Sequence, residues 1–368
     1  MTGKVLGFSI RHLKRKETTI FIAEKGEIAM KIRFRLFSLV TILLFGLAMV
    51  ASFSSTASAA EKLVLRMAGQ SPIEYQGTIH QMEFKKTIEA ATKGRIQIKV
   101  YPANQLGDYT QVYEEIMKGT IDMALISVPS QFDQRLELTY VPYLAENYDQ
   151  VKKFFAQNGF LFNTLSKVHD KLNVKLLGFN IEGFGGLGST KPLVEPANPA
   201  VKKGILLRVP PMDVFKFWAL ALNFQTVTVP YAELYTALQT GVAEGWIGGA
   251  PVLTYLSFRD VIKYYYQYNG HVESESWLIN KDLWNKLDKA DQKLFLDTVA
   301  KLQAKSIAVS EKEDKEYLKK LADESKIKVT TFSNAELKKF AETVRKTAWP
   351  KLKDRLTPEI MDALMKQY

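Results

Sequence analysis

The chain has no cysteine among its 368 residues, and this absence excludes two kinds of chemistry. No disulfide framework can form, and no thiol can act as a nucleophile or a metal ligand. Histidine is nearly as scarce, since only His12, His80, His169 and His271 occur and no two of them are four positions apart. Because that spacing is typical of zinc-binding helices, the sequence predicts no metal site.

Catalytic motifs are missing as well. The sequence has no G-x-S-x-G elbow and no phosphate-binding loop, and the glycines of 183–188 do not follow the dinucleotide-binding order. The acidic residues of 311–316 alternate with lysines, a pattern typical of a solvated helix face. No stripe of arginines with interleaved aromatic residues occurs, so nucleic acid is not a predicted partner. The sequence therefore predicts neither an enzyme nor a cofactor.

The formal net charge of +11 belongs largely to the start of the chain. Residues 1–59 hold nine of the 50 Lys and Arg but three of the 39 Asp and Glu, which leaves about +5 for the rest. Within them, residues 30–59 combine a basic start, an apolar run over 36–50 and the sequence Ala57-Ser58-Ala59. This pattern predicts a cleaved signal peptide, with the mature protein beginning at Ala60 and located in the periplasm. An uncleaved membrane anchor is the alternative.

Residues 1–29 precede that signal and show no apolar periodicity. We interpret them as an extension created by a misassigned start codon, with Met30 as the true start, and a long basic leader is the alternative. The roughly 310 residues after the signal suit two lobes better than one domain.

Apolar patterns predict an α/β fold for these residues. Strands over 62–68, 95–101 and 121–126 alternate with two helical segments, which predicts a parallel sheet. The stretch 203–251 repeats the theme with a strand ending in Arg208, an amphipathic helix, a short strand and a second helix that ends at Gly241. Ligands of open α/β sheets bind at the carboxyl ends of the strands, so Arg208 is placed to hold a carboxylate.

Several segments together resemble the substrate-binding proteins of tripartite ATP-independent periplasmic (TRAP) transporters, the DctP-like family. They are, in order, LVLRMAGQSPIEYQGT, KVYPANQLGDYTQVYEEIMKGTIDMALIS, GILLRVPPMDVF, VPYAELYTALQTGVAEGW and SWLINKDLWNKLDKADQKLF. Each segment is a loose motif alone, but their order and spacing cover almost the whole mature chain. The resemblance implies an α/β periplasmic-binding-protein fold of two lobes, each a mostly parallel sheet flanked by helices.

The resemblance also implies domain boundaries. Lobe one would comprise 60–182 and 272–310, and lobe two 183–271, with a long helix over 289–326 spanning both lobes. A short extended piece and C-terminal helices would follow over 327–368.

Site residues are implied in the same way. Arg208 matches the arginine that pairs with the ligand carboxylate, and Tyr231 matches an aromatic residue of the pocket. Tyr75 and Ser127 lie in loops through which lobe one contacts the ligand. Trp246 resembles the tryptophan of members that bind oxo or hydroxy monocarboxylates, and Phe184 is expected beside the apolar part of the ligand.

Departures from the family pattern narrow the kind of binding site that we expect. Many members have a second arginine where this chain has Gly185, and cation-assisted members have glutamate where it has Gly245. Glu244 is one position away from the latter. We therefore expect a single carboxylate held by Arg208, with no cation assisting.

The predicted function is that of a monomeric solute-binding protein. It would capture a small organic acid by closure of its two lobes and deliver it to TRAP membrane subunits. Two alternatives remain at this point, a receptor that presents its ligand to a sensor and a secreted enzyme on a two-lobed scaffold.

Overall fold

The structure, a computed structural model, describes Met30 and residues 62–368. The predicted N-terminal extension and, apart from Met30, the predicted signal peptide lie outside the described residues. Within the described part of the chain, no helix is both long enough and apolar enough to cross a bilayer.

A five-stranded sheet forms the first lobe, and its first three strands alternate with helices as predicted. The elements are β1 (Leu63–Gly69), α1 (Gln76–Ala91), β2 (Ile96–Tyr101), α2 (Tyr109–Lys118) and β3 (Met123–Ile126). Asp108 caps the start of α2, and Gly119 ends it in the left-handed conformation. Because β1 pairs in parallel with both β2 and β3, the loops that follow β1 and β3 meet at one edge.

Later residues complete this sheet. A 3₁₀ helix (Gln134–Tyr140) and the helices α3 (Tyr148–Phe154) and α4 (Phe160–Lys171) lead to β4 (Val174–Phe184). The strand β10 (Val272–Asn280) lies between β3 and β4 and runs antiparallel to both. Four of the five strands therefore share one direction, and β10 opposes them.

The second lobe is built around a six-stranded sheet of order β11-β9-β5-β8-β6-β7. Its strands from the middle of the chain are β5 (Gly186–Ser189), β6 (Leu206–Val209), β7 (Gln225–Thr228), β8 (Gly245–Gly249) and β9 (Tyr264–Gln267). The connecting helices are α5 (Asp213–Ala221), α6 (Leu234–Thr240) and α7 (Pro251–Phe258). Gly241 ends α6 in the left-handed conformation, as its position in the sequence predicts.

The edge strand of this sheet comes from the C-terminal part of the chain. After α8 (Lys281–Lys286) and α9 (Lys289–Asp323), strand β11 (Lys328–Thr331) pairs in parallel with β9. The sequence predicts an extended piece here but groups 327–368 with the C-terminal helices. By pairing with β9, β11 satisfies backbone N–H and C=O groups that would otherwise lack partners at that edge of the sheet. Three helices follow: α10 (Asn334–Thr347), α11 (Trp349–Leu356) and α12 (Pro358–Met365).

Helix α9 contacts both lobes. It has 35 residues, which corresponds to about 52 Å of helix, and it packs against β4 and α1 on one side of the molecule and α7 on the other. With two mostly parallel sheets, flanking helices and this long helix, the predicted fold class is confirmed.

Two further chain crossings join the lobes, and they run side by side. The first passes from β4 to β5 through Gly185, and the second from β9 to β10 through Gly270 and His271. Gly185 N–H donates to the His271 carbonyl at 2.9 Å, and Gly270 N–H donates to the Gly185 carbonyl at 3.3 Å. Gly183, just before the first crossing, has φ +125, a conformation that favours glycine, and a Cβ there would collide with Asp314.

Candidate functional site

A cavity lies between the two lobes. It lies where β1, β3 and β6 end, at the edge at which ligands of open α/β sheets bind. Both lobes line it, the first through Gln70, Tyr109, Ser127, Tyr140, Glu182 and Glu273, and the second through Arg208, Pro210, Met212, Phe215, Tyr231, Gly248 and Leu253.

Arg208 enters this cavity from β6, the strand next to the edge strand β7 of the second sheet. Its strand β6 pairs in parallel with β7 and β8, and the residue is 2% exposed. Its Nε donates to the Val229 carbonyl at 2.8 Å, and its Nη1 lies 3.4 Å from the Ile247 carbonyl. Burial lowers the pKa of Arg208 to about 10, so the guanidinium remains charged at neutral pH.

The third guanidinium nitrogen of Arg208, Nη2, takes part in neither of these contacts. Within residues 62–368, its Nη2 has no hydrogen-bond partner. A buried donor without a partner costs free energy, and a charged one costs more. A carboxylate in the cavity would accept from Nη2 and neutralise the charge, so the geometry suits an acid as ligand.

Polar groups of the first lobe face Arg208 across the cavity. Gln70 and Ser127 bond each other reciprocally, since Gln70 Nε2 donates to Ser127 Oγ at 2.9 Å and Ser127 N–H donates to Gln70 Oε1 at 2.8 Å. This pair fixes the loops after β1 and β3 to one another. Tyr140 donates its hydroxyl to the Ser274 carbonyl at 2.7 Å, whereas the Tyr109 hydroxyl has no partner in the described chain. The cavity thus offers hydroxyl and amide groups to a polar ligand.

The structure divides the six residues that sequence reasoning assigned to the site. Arg208, Tyr231 and Ser127 line the cavity, and the other three do not. Trp246 packs in the second-lobe core, with its ring centroid 4.5 Å from that of Phe258. A tryptophan covers either a core or a pocket, and here α7 provides the core surface.

Phe184 and Tyr75 lie behind the walls of the cavity. Phe184 belongs to the crossing region, where its ring meets Tyr148 edge to face at 5.2 Å. Tyr75 is 1% exposed and precedes α1. Burial, then the charges of nearby glutamates with Glu182 foremost, raises the pKa of Tyr75 well above its ordinary value. Neither residue is a wall of the cavity as the structure has it.

Sequence reasoning missed a group of three buried carboxyls beside Arg208. Glu182 belongs to β4, and Glu273 and Glu275 belong to β10, the strand that pairs with it. All three are at most 5% exposed. One signal in the sequence could have revealed them, namely glutamates within strands whose apolar pattern predicts burial. Charged residues are rarely fully buried without a partner, so glutamates at such positions indicate an unusual site.

His271 occupies the space beside Gly185, where many family members have a second arginine. A Cβ at Gly185 would collide with the His271 ring, and His271 Nε2 is in turn bonded to Glu273 Oε1. A larger side chain at position 185 would therefore displace this histidine. A second arginine at position 185, which would bind the ligand together with Arg208, therefore has no room beside His271.

Glu244, the residue considered as a cation ligand, bonds elsewhere. Its carboxylate pairs with Lys191 and accepts from Leu206 N–H at 3.0 Å. Lys191 first, and the backbone N–H second, lower the pKa of Glu244. Across residues 62–368, no group of three or more acidic or histidine side chains has the arrangement of a metal site.

The fold and the cavity define a class, that of two-lobed proteins that enclose a small solute between their sheets. Residues 69–353 match the family model of bacterial extracellular solute-binding proteins, family 7. The chain therefore belongs to this family, which consists of solute-binding proteins and not of enzymes. The resemblance drawn from the sequence motifs is confirmed.

Individual relatives agree with the family assignment. An uncharacterized protein of Haemophilus influenzae is 31% identical over 293 residues, which cover 77% of this chain and 85% of the relative. A TRAP periplasmic solute-binding protein of Haemophilus influenzae, crystallised with bound L-gulonate, superposes with a TM-score of 0.74 at 25% identity over 83% of this chain and 100% of that one. A protein of the same kind from Desulfovibrio salexigens, with bound orotic acid, has a TM-score of 0.75 at 22% identity over 83% and 97%.

Proposed function

We propose that this protein captures an organic acid outside the cytoplasm and delivers it to the membrane subunits of a TRAP transporter. The observation that carries the proposal is Arg208, a buried cation on the cavity wall whose Nη2 lacks a partner in the described chain. The proteins of similar fold that were crystallised with L-gulonate and orotic acid held carboxylate ligands, which supports the same class of ligand here.

The proposed mechanism is closure of two lobes around the acid. The three connections between the sheets support it, because a pair of adjacent crossings and one long helix permit bending while they resist separation. Ligand carboxylate on Arg208 and ligand contacts to Ser127 would bind the lobes to each other and favour the closed form. The membrane subunits would then recognise that form, with the binding protein acting as a monomer.

The periplasm is the proposed location. It follows from the family, whose members act outside the cytoplasm, and from the signal-peptide pattern of residues 30–59. Cleavage after Ala59 would release a mature chain whose first described strand begins three residues later, at Leu63.

The test of the proposal is the affinity of the Arg208→Ala variant. A thermal-shift screen with L-gulonate, D-galactonate, succinate and orotate selects the best carboxylate, and calorimetry then measures its affinity for each protein. Loss of a buried charge-assisted pair should cost on the order of 2–5 kcal/mol, equivalent to a loss of about 30-fold or more in affinity. The Arg259→Ala variant removes an exposed arginine from the same lobe and should bind like wild type. Equal affinity of wild type and Arg208→Ala would contradict the assignment.

A further inference from the structure

The carboxyls of Glu182, Glu273 and Glu275 form one acidic cluster at the first-lobe side of the cavity. In the pairing of β4 with β10, Glu273 lies opposite Gly183 and Glu275 opposite Asn180, so the three glutamates follow one another along the shared sheet. Glu182 and Glu273 line the cavity itself. Glu275 lies behind them, where it accepts from Ser71 Oγ at 2.7 Å.

This cluster lacks compensating positive charge. In residues 62–368, His271 is the one basic side chain within ion-pair distance of any of the three carboxyls, and it bonds Glu273. After burial, the strongest influences on the pKa of Glu182 are the charges of Glu275 and Glu273, and both raise it. An organic acid on Arg208 would bring a further negative charge into the same cavity. Buried charges without partners are costly, so a cation in the cavity would stabilise the carboxylate forms of these glutamates.

Several buried polar atoms around the cluster and on the cavity wall lack hydrogen-bond partners in the described chain. Within the described chain, Glu182 Oε1, Glu275 Oε2 and Gln76 Oε1 are buried acceptors without partners. Unpartnered donors are Asn180 Nδ2 and the Tyr75 hydroxyl, and the cavity wall adds Arg208 Nη2 and the Tyr109 hydroxyl. A ligand hydroxyl would bring one donor together with another acceptor, whereas an ammonium group brings three donors, no acceptor and a positive charge. Glu182 and Glu273 present carboxyl oxygens to the cavity, and this end of it therefore favours a cationic nitrogen over a hydroxyl.

The two ends of the cavity are close enough for one small molecule to reach both. Arg208 Nη1 and Glu273 Oε1 each lie within 4 Å of the position that a Cβ would occupy at Gly248. A ligand whose carboxylate meets Arg208 would thus have its neighbouring carbons beside the glutamates. Glycine at position 248 leaves that space open.

We propose that the ligand of this protein carries a protonated amine in addition to its carboxylate, with Arg208 binding the carboxylate and Glu182 and Glu273 binding the amine. This inference rests on the proposed function, because it concerns the same cavity. It narrows the substrate class to zwitterionic amino acids and amino sugar acids. Glu275 and Ser71 act as positioning groups behind the two glutamates that touch the amine.

Proton release provides a measurement on the wild-type protein. Burial, followed by repulsion from Glu275 and Glu273, raises the pKa of Glu182 well above its ordinary value, and burial raises the pKa of Glu275 too. A bound ammonium favours the charged carboxylate forms, so its binding should lower these pKa values again and release protons. Calorimetry in buffers of different ionisation enthalpy should show protons released when an amine binds.

Matched ligands and a matched variant complete the experiment. The probes are D-glucosaminate against D-gluconate, 4-aminobutanoate against 4-hydroxybutanoate, and 2-aminobutanoate against 2-hydroxybutanoate. At least one amine should bind wild type about tenfold or more tightly than its hydroxyl counterpart, and Glu182→Gln should abolish that preference. Glu74→Gln, which alters an exposed glutamate of the neighbouring loop, should retain it. Circular dichroism and thermal unfolding establish that each variant is folded.

The outcomes separate this inference from the proposed function. Equal or tighter binding of the hydroxy acids, or a preference for the amine that survives in Glu182→Gln, overturns the inference alone. So does wild-type protein that binds L-gulonate, succinate or orotate but none of the amines. Absence of binding to every carboxylate tested overturns the proposed function and the inference together. Tight binding of an amine without proton release also contradicts the role given to the cluster.

Discussion

Asp314 should contribute more to the stability of the folded protein as the pH falls, and a substitution can isolate this contribution. Asp314 lies on α9 beside the first crossing between the lobes. Its Oδ2 accepts from the Tyr148 hydroxyl at 2.6 Å and from Phe184 N–H at 3.0 Å. Its Oδ1 has no partner among the described residues. Burial is the main reason that the pKa of Asp314 rises from 3.8 to about 7.

The sign of the effect follows from proton binding. Between pH 3.8 and 7 the folded protein holds a proton on Asp314 that the unfolded chain has lost, so unfolding releases it. The contribution of this group is therefore fully present below pH 3.8 and is lost as the pH rises through 7. A shift of about three pKa units corresponds to about 4 kcal/mol over that whole range, of which about 3 kcal/mol falls between pH 5 and 8.

The substitution Asp314→Asn isolates this contribution. An amide oxygen in place of Oδ2 keeps the bonds from Tyr148 and Phe184, and the amide carries no charge to bury. The variant should be more stable than wild type at pH 8, and the difference should shrink by about 3 kcal/mol between pH 8 and pH 5. Glu182 and Glu275, whose pKa values are also raised by burial, remain in both proteins and cancel in the comparison.

Urea unfolding at half-unit steps from pH 5 to 8 measures the difference. Glu311→Gln, at an exposed position of the same helix, serves as the control and should follow the wild-type curve. If Asp314→Asn retains the wild-type pH slope, or is the less stable protein at pH 8, the account of a buried and costly carboxylate is wrong.

Three further predictions concern the site and the leader. Trp246→Phe should lower the free energy of unfolding by about 1–3 kcal/mol and leave ligand affinity unchanged, because the indole fills the second-lobe core; a tenfold loss of affinity in calorimetry would restore Trp246 as a ligand contact. Affinity should survive chelation and sodium-free buffer, since Gly245 offers no carboxylate and Glu244 is bonded to Lys191; recovery of a lost affinity on adding calcium or sodium would count against this. Intact mass of periplasmic material should correspond to a chain starting at Ala60, and a mass that includes residues 36–50 would indicate an anchor.

Local patterns predicted the elements around Arg208 well. Alternation and helical periodicity in 203–251 anticipated β6, α5, β7 and α6, and Gly241 ends α6 where the sequence places the stop. In the structure, Ser333 and Glu336 form a capping box at the start of α10, and their spacing of three is visible in the sequence alone. These features depend on neighbours along the chain, so one sequence contains the information.

Strand partners and buried charge could not be predicted in the same way. The position of β10 between β3 and β4, and that of β11 beside β9, depends on pairing between distant segments. The sequence does not show whether the side chain of a glutamate within a strand contacts solvent, a lysine or another glutamate. For that reason Arg208 could be assigned to a cavity from its strand end, whereas the cluster containing Glu182 became visible only when β4 and β10 were seen together.

The position of β10 has a consequence for how this chain acquires its structure. Asn280 Nδ2 bonds the Ile116 carbonyl 164 positions earlier, and Tyr140 bonds Ser274 across 134 positions. The first sheet therefore cannot be completed until β10 has been synthesised, and the second sheet cannot be completed before β11. Long sequence separation between contacts slows folding, because loop closure must precede the contacts that reward it. Fragments that end before residue 272 should consequently be poor folding units, and the two lobes should form as one cooperative event.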